Sequence, residues 1–159
     1  MNADGSDVVQ LSSGFDDRDD VVWRDCCPAW SPDGSQIAFA RPNSQIYVIN
    51  TDGSGLTQLT FSSIGARNPA WSPDGSKLAF ASVSPQDIWT MDSNGSNLTR
   101  LTFDQAVDKQ PSWSPDGSRI AFDSSRDGNF EIYVMDDDGS HQTRLTTNPA
   151  RDSSPDWSR

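Results

Sequence analysis

The sequence predicts an all-β fold: a β-propeller of four-stranded antiparallel blades, with about three and a half blades present. Three observations carry this expectation. A Trp-turn motif recurs as PAWSPDG at 28–34 and 69–75, as PSWSPDG at 111–117 and, cut short, as PDWS at 155–158. The motif tryptophans Trp30, Trp71, Trp113 and Trp157 stand 41, 42 and 44 residues apart, the period of a blade of four strands. Each period also divides into four short β-type runs separated by turn residues.

Taken in order, the chain opens with MNADGSDVVQLS, which aligns with MDSNGSNLTRLT and MDDDGSHQTRLT further on. Residues 1–13 are therefore expected to supply an orphan outer strand, the fourth of a blade. Whole units follow at about 28–60, 69–102 and 111–147, and 155–159 would supply the inner strand of a next blade. In the third unit the first run surrounds Trp113. The turn Ser114-Pro115-Asp116-Gly117 comes next: Pro presets φ, Asp caps the turn and Gly completes it. RIAFD forms the second run, a looser SSRDGN loop leads to EIYVM, and the DDDGS turn leads to TRLT. The other units fill the same slots with IAFA and LAFA, with IYVI and IWTM, and with TQLT and TRLT. Strands apolar on both faces, with small Ala on one, suit sheets stacked face to face. The four motif tryptophans are read as structural, packing blade on blade. Trp89, standing where other units have Tyr, is read the same way.

Composition bounds the function. The chain has 159 residues, enough for one compact domain. Only 33% is hydrophobic, but six Trp and seven Phe recur at regular places, which argues against disorder. The net charge of −11 excludes a basic nucleic-acid footprint; its plain reading is solubility, and a cationic partner or metal ion suits it better than nucleic acid does. No apolar run reaches the length of a membrane span, so no membrane insertion is expected. The two cysteines, Cys26 and Cys27, are adjacent. Adjacent cysteines make neither a disulfide framework nor a zinc site, and they are expected as free, largely buried thiols.

At this level of detail the repeat resembles a known family. WSPDGS-x-[IL]-AF, then IYVM-D-x-DGS, then LT at a period near 42 is similar to the TolB-type WD-like propeller repeat. SSRDGNFEIYVMDDDGS is close to that pattern, and the resemblance covers almost the whole chain. It implies a β-propeller, a non-catalytic role in binding another protein, and a periplasmic or extracellular place in a bacterium. The same repeat forms the gating propeller of some prolyl-oligopeptidase-type hydrolases. An accessory propeller of a larger hydrolase is therefore an alternative, and a carbohydrate-binding or lyase propeller is another. Closed propellers have about four to eight blades. The sequence thus predicts either missing blades or self-association to close the ring.

A site is expected on one face. In a propeller blade the PDG and DGS turns share one face, and the variable loops (RPNSQ, SVSPQD, SSRDGN) share the other. Varied loops on a rigid scaffold are where function concentrates. The longest is an insertion: Leu11 precedes Trp30 by 19 residues, whereas Leu59, Leu101 and Leu145 precede their motif tryptophans by 12. Its residues Asp16, Asp17, Arg18, Asp19, Asp20, Trp23, Arg24 and Asp25 mix Trp, Arg and Asp as protein-recognition surfaces do. Asp16, Asp17, Asp19 and Asp20 also cluster oxygens of the kind Ca²⁺ favours, without the spacing of an EF-hand loop. No other cofactor is suggested. No nucleophile elbow or metal-protease motif occurs, and no catalytic residue is assigned. A Cys–His pair from Cys26 or Cys27 with His141 would have to span opposite faces.

Overall fold

The computed structural model describes residues 8, 10, 11 and 25–157, and the described chain is all β. Three four-stranded antiparallel sheets follow one another. The first contains β1 (Cys26–Trp30), β2 (Gln36–Ala40), β3 (Ile46–Asn50) and β4 (Thr57–Gln58). The second contains β5 (Ala66–Trp71), β6 (Lys77–Ser82), β7 (Ile88–Asp92) and β8 (Thr99–Arg100). The third contains β9 (Asp108–Trp113), β10 (Arg119–Ser124), β11 (Glu131–Asp136) and β12 (Thr143–Arg144). In every sheet the spatial order is the order of the chain. These are the blades of a partial propeller.

The turns that set this order are built by short side chains. Asp33 Oδ1 accepts hydrogen bonds from Ser31 Oγ at 2.7 Å and from the Ser35 amide at 3.0 Å. Asp74 and Asp116 repeat the arrangement with their own flanking serines. Three accepted bonds hold Asp33, Asp74 and Asp116 as carboxylates, at about 2 instead of the usual 3.8. The DGS turn of each blade is tied to the PDG turn beside it. The amides of Thr51, Ser93 and Asp137 donate to the carbonyls of Ser35, Ser76 and Ser118 at 3.0, 2.9 and 3.1 Å. Both turn types therefore lie on one face.

Packing explains why the second strands are large on one side and small on the other. Leu78, Phe80 and Met91 of the second blade bury against Ala38, Ala40, Ile46 and Val48 of the first. Ala79, Ala81 and Ile88, on the opposite side, receive Ile120, Phe122 and Met135 of the third. Each blade thus pushes bulk toward its predecessor and offers alanine to its successor. The motif tryptophan follows the same rule. Trp71 Nε1 donates to Ala29 O at 3.2 Å and Trp157 Nε1 to Ser112 O at 3.1 Å, each one blade back. Trp30 has no blade before it among the described residues and is 62% exposed. The expectation that all four pack between blades therefore fails at this one. The Leu11 side chain approaches Gly53, whereas the backbone carbonyls of Leu59 and Leu101 approach Gly95 and Gly139. Of the expected outer strand 1–13 only residues 8, 10 and 11 are described, and the rest lies outside the described residues. Residues 151–157 form no strand, because an inner strand pairs with the second strand of its own blade.

One regular feature is absent from the sequence reading. Each inner strand carries a bulge just before its proline, at Cys27, Asn68 and Gln110, with φ of +59°, +53° and +53°. Ser154 has φ +61° at the same place before Pro155. Proline cannot donate to a ladder, and the bulge absorbs the interruption. These non-glycine residues hold a left-handed conformation that is ordinarily unfavourable. Its recurrence makes it part of the blade design.

Candidate functional site

Within each blade the face opposite the turns is organised by a strut between third and fourth strands. In the second blade Thr102 Oγ1 accepts from the Ile88 amide at 3.0 Å, and Arg100 reaches the fully buried Asp87 at 2.9 Å. In the third, Thr146 Oγ1 accepts from the Ile132 amide at 2.9 Å and donates to Glu131 at 2.7 Å. Arg144 lies 3.0 Å from the buried Glu131. The first blade keeps the threonine, with Thr60 Oγ1 accepting from Ile46 N at 2.9 Å, but replaces acid and arginine by Gln45 and Gln58. The long side chain of the fourth strand always folds back on the threonine carbonyl. Gln58 does so at 2.6 Å, Arg100 at 2.8 Å and Arg144 at 2.6 Å. Sequence reading missed the strut, although [QDE]-I-[YW] followed by T-[QR]-L-T marks it in all three units.

A second network joins blades two and three. Arg126 pairs with Asp104 at 2.8 Å and with the buried Asp108 at 3.0 Å. It donates to Gln142 Oε1 at 2.7 Å and stacks 4.5 Å from the centre of the Tyr133 ring. Desolvation pushes the Asp108 carboxyl up, against the pull of Arg126 and two hydroxyl donors. Asp123, buried beside Lys109, is raised for the same first reason. These acids are committed to arginines and lysines. Among the described residues no group of three or more His, Cys, Asp and Glu is placed to hold a metal ion.

The expected site residues fall as follows. Asp16, Asp17, Arg18, Asp19, Asp20, Trp23 and Arg24 lie outside the described residues, and with them the whole Ca²⁺ candidate set. Asp25 is described and pairs with Arg41 at 3.6 Å at the start of the first inner strand. His141 is exposed on the turn face, with Nδ1 2.7 Å from Asp136 and 3.1 Å from Ser140. Both contacts use one nitrogen, so Ser140, His141 and Asp136 do not form a proton relay. Cys26 and Cys27 sit at the opposite end of the blade, and neither is buried. Their expected burial is corrected here: they precede the apolar core of the inner strand.

Two residues that the sequence reading passed over are exposed aromatics. Phe61 and Phe103 follow the Leu-Thr pair in two successive blades, in the loops leading to the next inner strand. They are 80% and 70% exposed. Phe61 flanks a groove of about 280 Å³ between the first two blades, which runs from Ile64 to Gly95 and Leu98 at the second blade's DGS turn. Arg100 lies over the Phe103 ring at 4.9 Å. Leu-Thr-Phe repeats at 59–61 and 101–103, and that repeat is the signal that could have found them.

Comparison with known proteins gives a consistent answer. The TolB beta propeller domain matches residues 8–110 and 63–159. TolB from Acinetobacter baumannii superposes with a TM-score of 0.72 at 27% identity, over 82% of this chain and 34% of that one. The chain thus spans about a third of the TolB structure it matches. A chain of a nidogen/laminin complex (TM-score 0.67, 14% identity, 77% of this chain and 48% of that one) shares the fold alone. So does the tricorn protease (0.58, 14%, 70% and 13%). No curated protein matches significantly by sequence. With its repeat, its blade topology and these matches, the chain belongs to the TolB β-propeller family.

Proposed function

We propose that the chain is a non-catalytic propeller scaffold that binds another protein through its variable-loop face, in the periplasm or outside a bacterial cell. The observation that carries this reading is the pair Phe61 and Phe103. Large aromatic side chains exposed at equivalent positions on neighbouring blades contribute nothing to the core, and aromatic groups dominate the energetics of protein interfaces. By its position in the repeat, the acidic insertion at 16–25 is expected among the same variable loops. An overall charge of −11 favours a partner with a basic rim. The exposed Trp30 supports the further reading that more blades, or a second copy, complete the ring.

The test is photo-crosslinking from benzoylphenylalanine placed at 61 or 103, against the same probe at Asp33 or Asp116 on the turn face, in cells that make the protein. Crosslinks to one polypeptide from 61 and 103 alone are expected. Crosslinks from the turn face alone would overturn the proposal. Replacing both phenylalanines by alanine should weaken binding at least tenfold while changing stability by no more than about 0.5 kcal/mol, as for other exposed positions.

A further inference from the structure

We propose that Cys26 and Cys27 form a preorganised dithiol site for a thiophilic trivalent metalloid, of which an aryl-arsenic(III) dihydroxide is the simplest probe. The argument begins with strand geometry. Successive side chains of a strand point to opposite faces, which would hold adjacent thiols apart. The bulge cancels that alternation. With Cys27 at φ +59°, its Sγ lies on the same side as Cys26 Sγ, within hydrogen-bonding reach. The same left-handed bend at Asn68, Gln110 and Ser154 shows that the blade imposes it whichever side chain is present. The two sulfurs are therefore brought together before any ligand arrives.

Access follows from the repeat as well. Cys26 is exposed and Cys27 half-buried. The equivalent pairs Arg67–Asn68 and Lys109–Gln110 sit in blades that have a blade before them, and all four residues stay half-buried instead of closing off. A blade packed in front of the first would thus leave the thiols reachable.

The ligand class follows from coordination chemistry. Soft thiolates select soft ions. Zinc wants four tetrahedral ligands, and among the described residues no third or fourth ligand stands nearby. Linear two-coordinate ions place their sulfurs on opposite sides, which two neighbouring thiols on one side do not match. Pyramidal arsenic(III) holds two sulfurs at about a right angle, on one side. In the reaction two As–O bonds break, two As–S bonds form, and the two thiol protons leave with the hydroxyls as two waters. Nothing is oxidised or reduced. Desolvation, and then the hydrogen bond it shares with Cys27, push the Cys26 thiol up to about 11. This disfavours attack on disulfides at neutral pH, which needs the thiolate. It does not prevent a condensation that consumes protonated thiols.

The chain has no other cysteine, so the test is direct. The reduced full chain is treated with phenylarsine oxide, which hydrates to the dihydroxide. Adducts are counted by intact mass and then chased with excess 2-mercaptoethanol. One arsenic per chain is expected, released at least tenfold more slowly than from Cys26→Ser or Cys27→Ser, and removed promptly by dithiothreitol. Equal release from wild type and single variants would overturn the proposal. Because the bulge makes the site, Arg67→Cys with Asn68→Cys in a chain carrying Cys26→Ser and Cys27→Ser should regain slow release. If that correctly folded variant loses arsenic as fast as the single variants do, the geometric basis is wrong.

Discussion

Thr102 shows how much a single hydroxyl does in these blades. Its Oγ1 is the acceptor for the buried Ile88 amide, which opens the third strand and would otherwise have none. Thr102→Val keeps the shape and removes the acceptor. A buried donor left unpaired costs about 1–3 kcal/mol. The urea midpoint should fall accordingly with an unchanged slope. A second residue-scale case concerns the turn glycines. Gly34 and Gly95 both have positive φ, at +71° and +86°. A Cβ at Gly34 would meet nothing within 4 Å, whereas at Gly95 it would stand 2.7 Å from the carbonyl oxygen of Leu59, in the neighbouring blade. Alanine at either position carries the left-handed penalty of about 1 kcal/mol. Only at 95 does it also force blades apart. Thermal unfolding should therefore show Gly95→Ala clearly less stable than Gly34→Ala.

Elements are held in register by the strut between third and fourth strands, and the first blade states the rule for replacing it. Gln45 and Gln58 stand where the other blades have an acid and an arginine, and Gln58 keeps the bond back to the threonine carbonyl. Removing one partner of a buried ion pair leaves an uncompensated charge, whereas replacing both with neutral groups is often tolerated. Arg144→Gln alone should destabilise by about 3 kcal/mol, since Glu131 is fully buried. Glu131→Gln with Arg144→Gln should recover most of that loss. A double-mutant cycle followed by urea unfolding gives the coupling, and additive losses would show that the blades tolerate no neutral strut. The strands themselves were legible in the sequence because turn chemistry and alternation repeat three times. The strut and the bulge were not. Each depends on which backbone group lies beside which side chain across strands; the strut leaves a repeated residue pattern, but what that pattern does appears only once the strands are paired. The exposed phenylalanines were passed over for another reason: aromatic residues in this repeat are usually core, so the repeated Leu-Thr-Phe does not by itself say that Phe61 is exposed where Phe80 is buried.

For the whole molecule, the stacking rule has a consequence at each end and a consequence for charge. Among the described residues Trp30 is the one motif tryptophan largely in solvent, although Phe39 and Ile49, which correspond to Phe80 and Met91 of the next blade, are buried. The 159-residue chain alone is expected to self-associate, and light scattering that finds a stable, cooperatively folded monomer would contradict this. The pH dependence has two limbs. Asp108 and Asp123 have carboxyls raised by burial, so the folded state binds protons more readily than the unfolded one above 3.8. Lowering pH from neutral therefore increases stability, and it also relieves the self-repulsion of a chain at −11. Asp33, Asp74 and Asp116 act in the opposite sense. Held at about 2, they contribute stability that is complete above the ordinary value of 3.8 and is lost as pH falls toward 2. Urea midpoints measured in steps from pH 7 to pH 2 should rise, pass a maximum near the ordinary aspartate value, and fall. Asp123→Asn should flatten the upper limb and leave the acid limb, while Asp74→Asn should do the reverse. A steady decline from neutral pH would mean that the buried carboxyls are fully compensated by their cations, and loss on acidification that Asp74→Asn leaves unchanged would mean that the PDG turns do not set the acid limit of the fold.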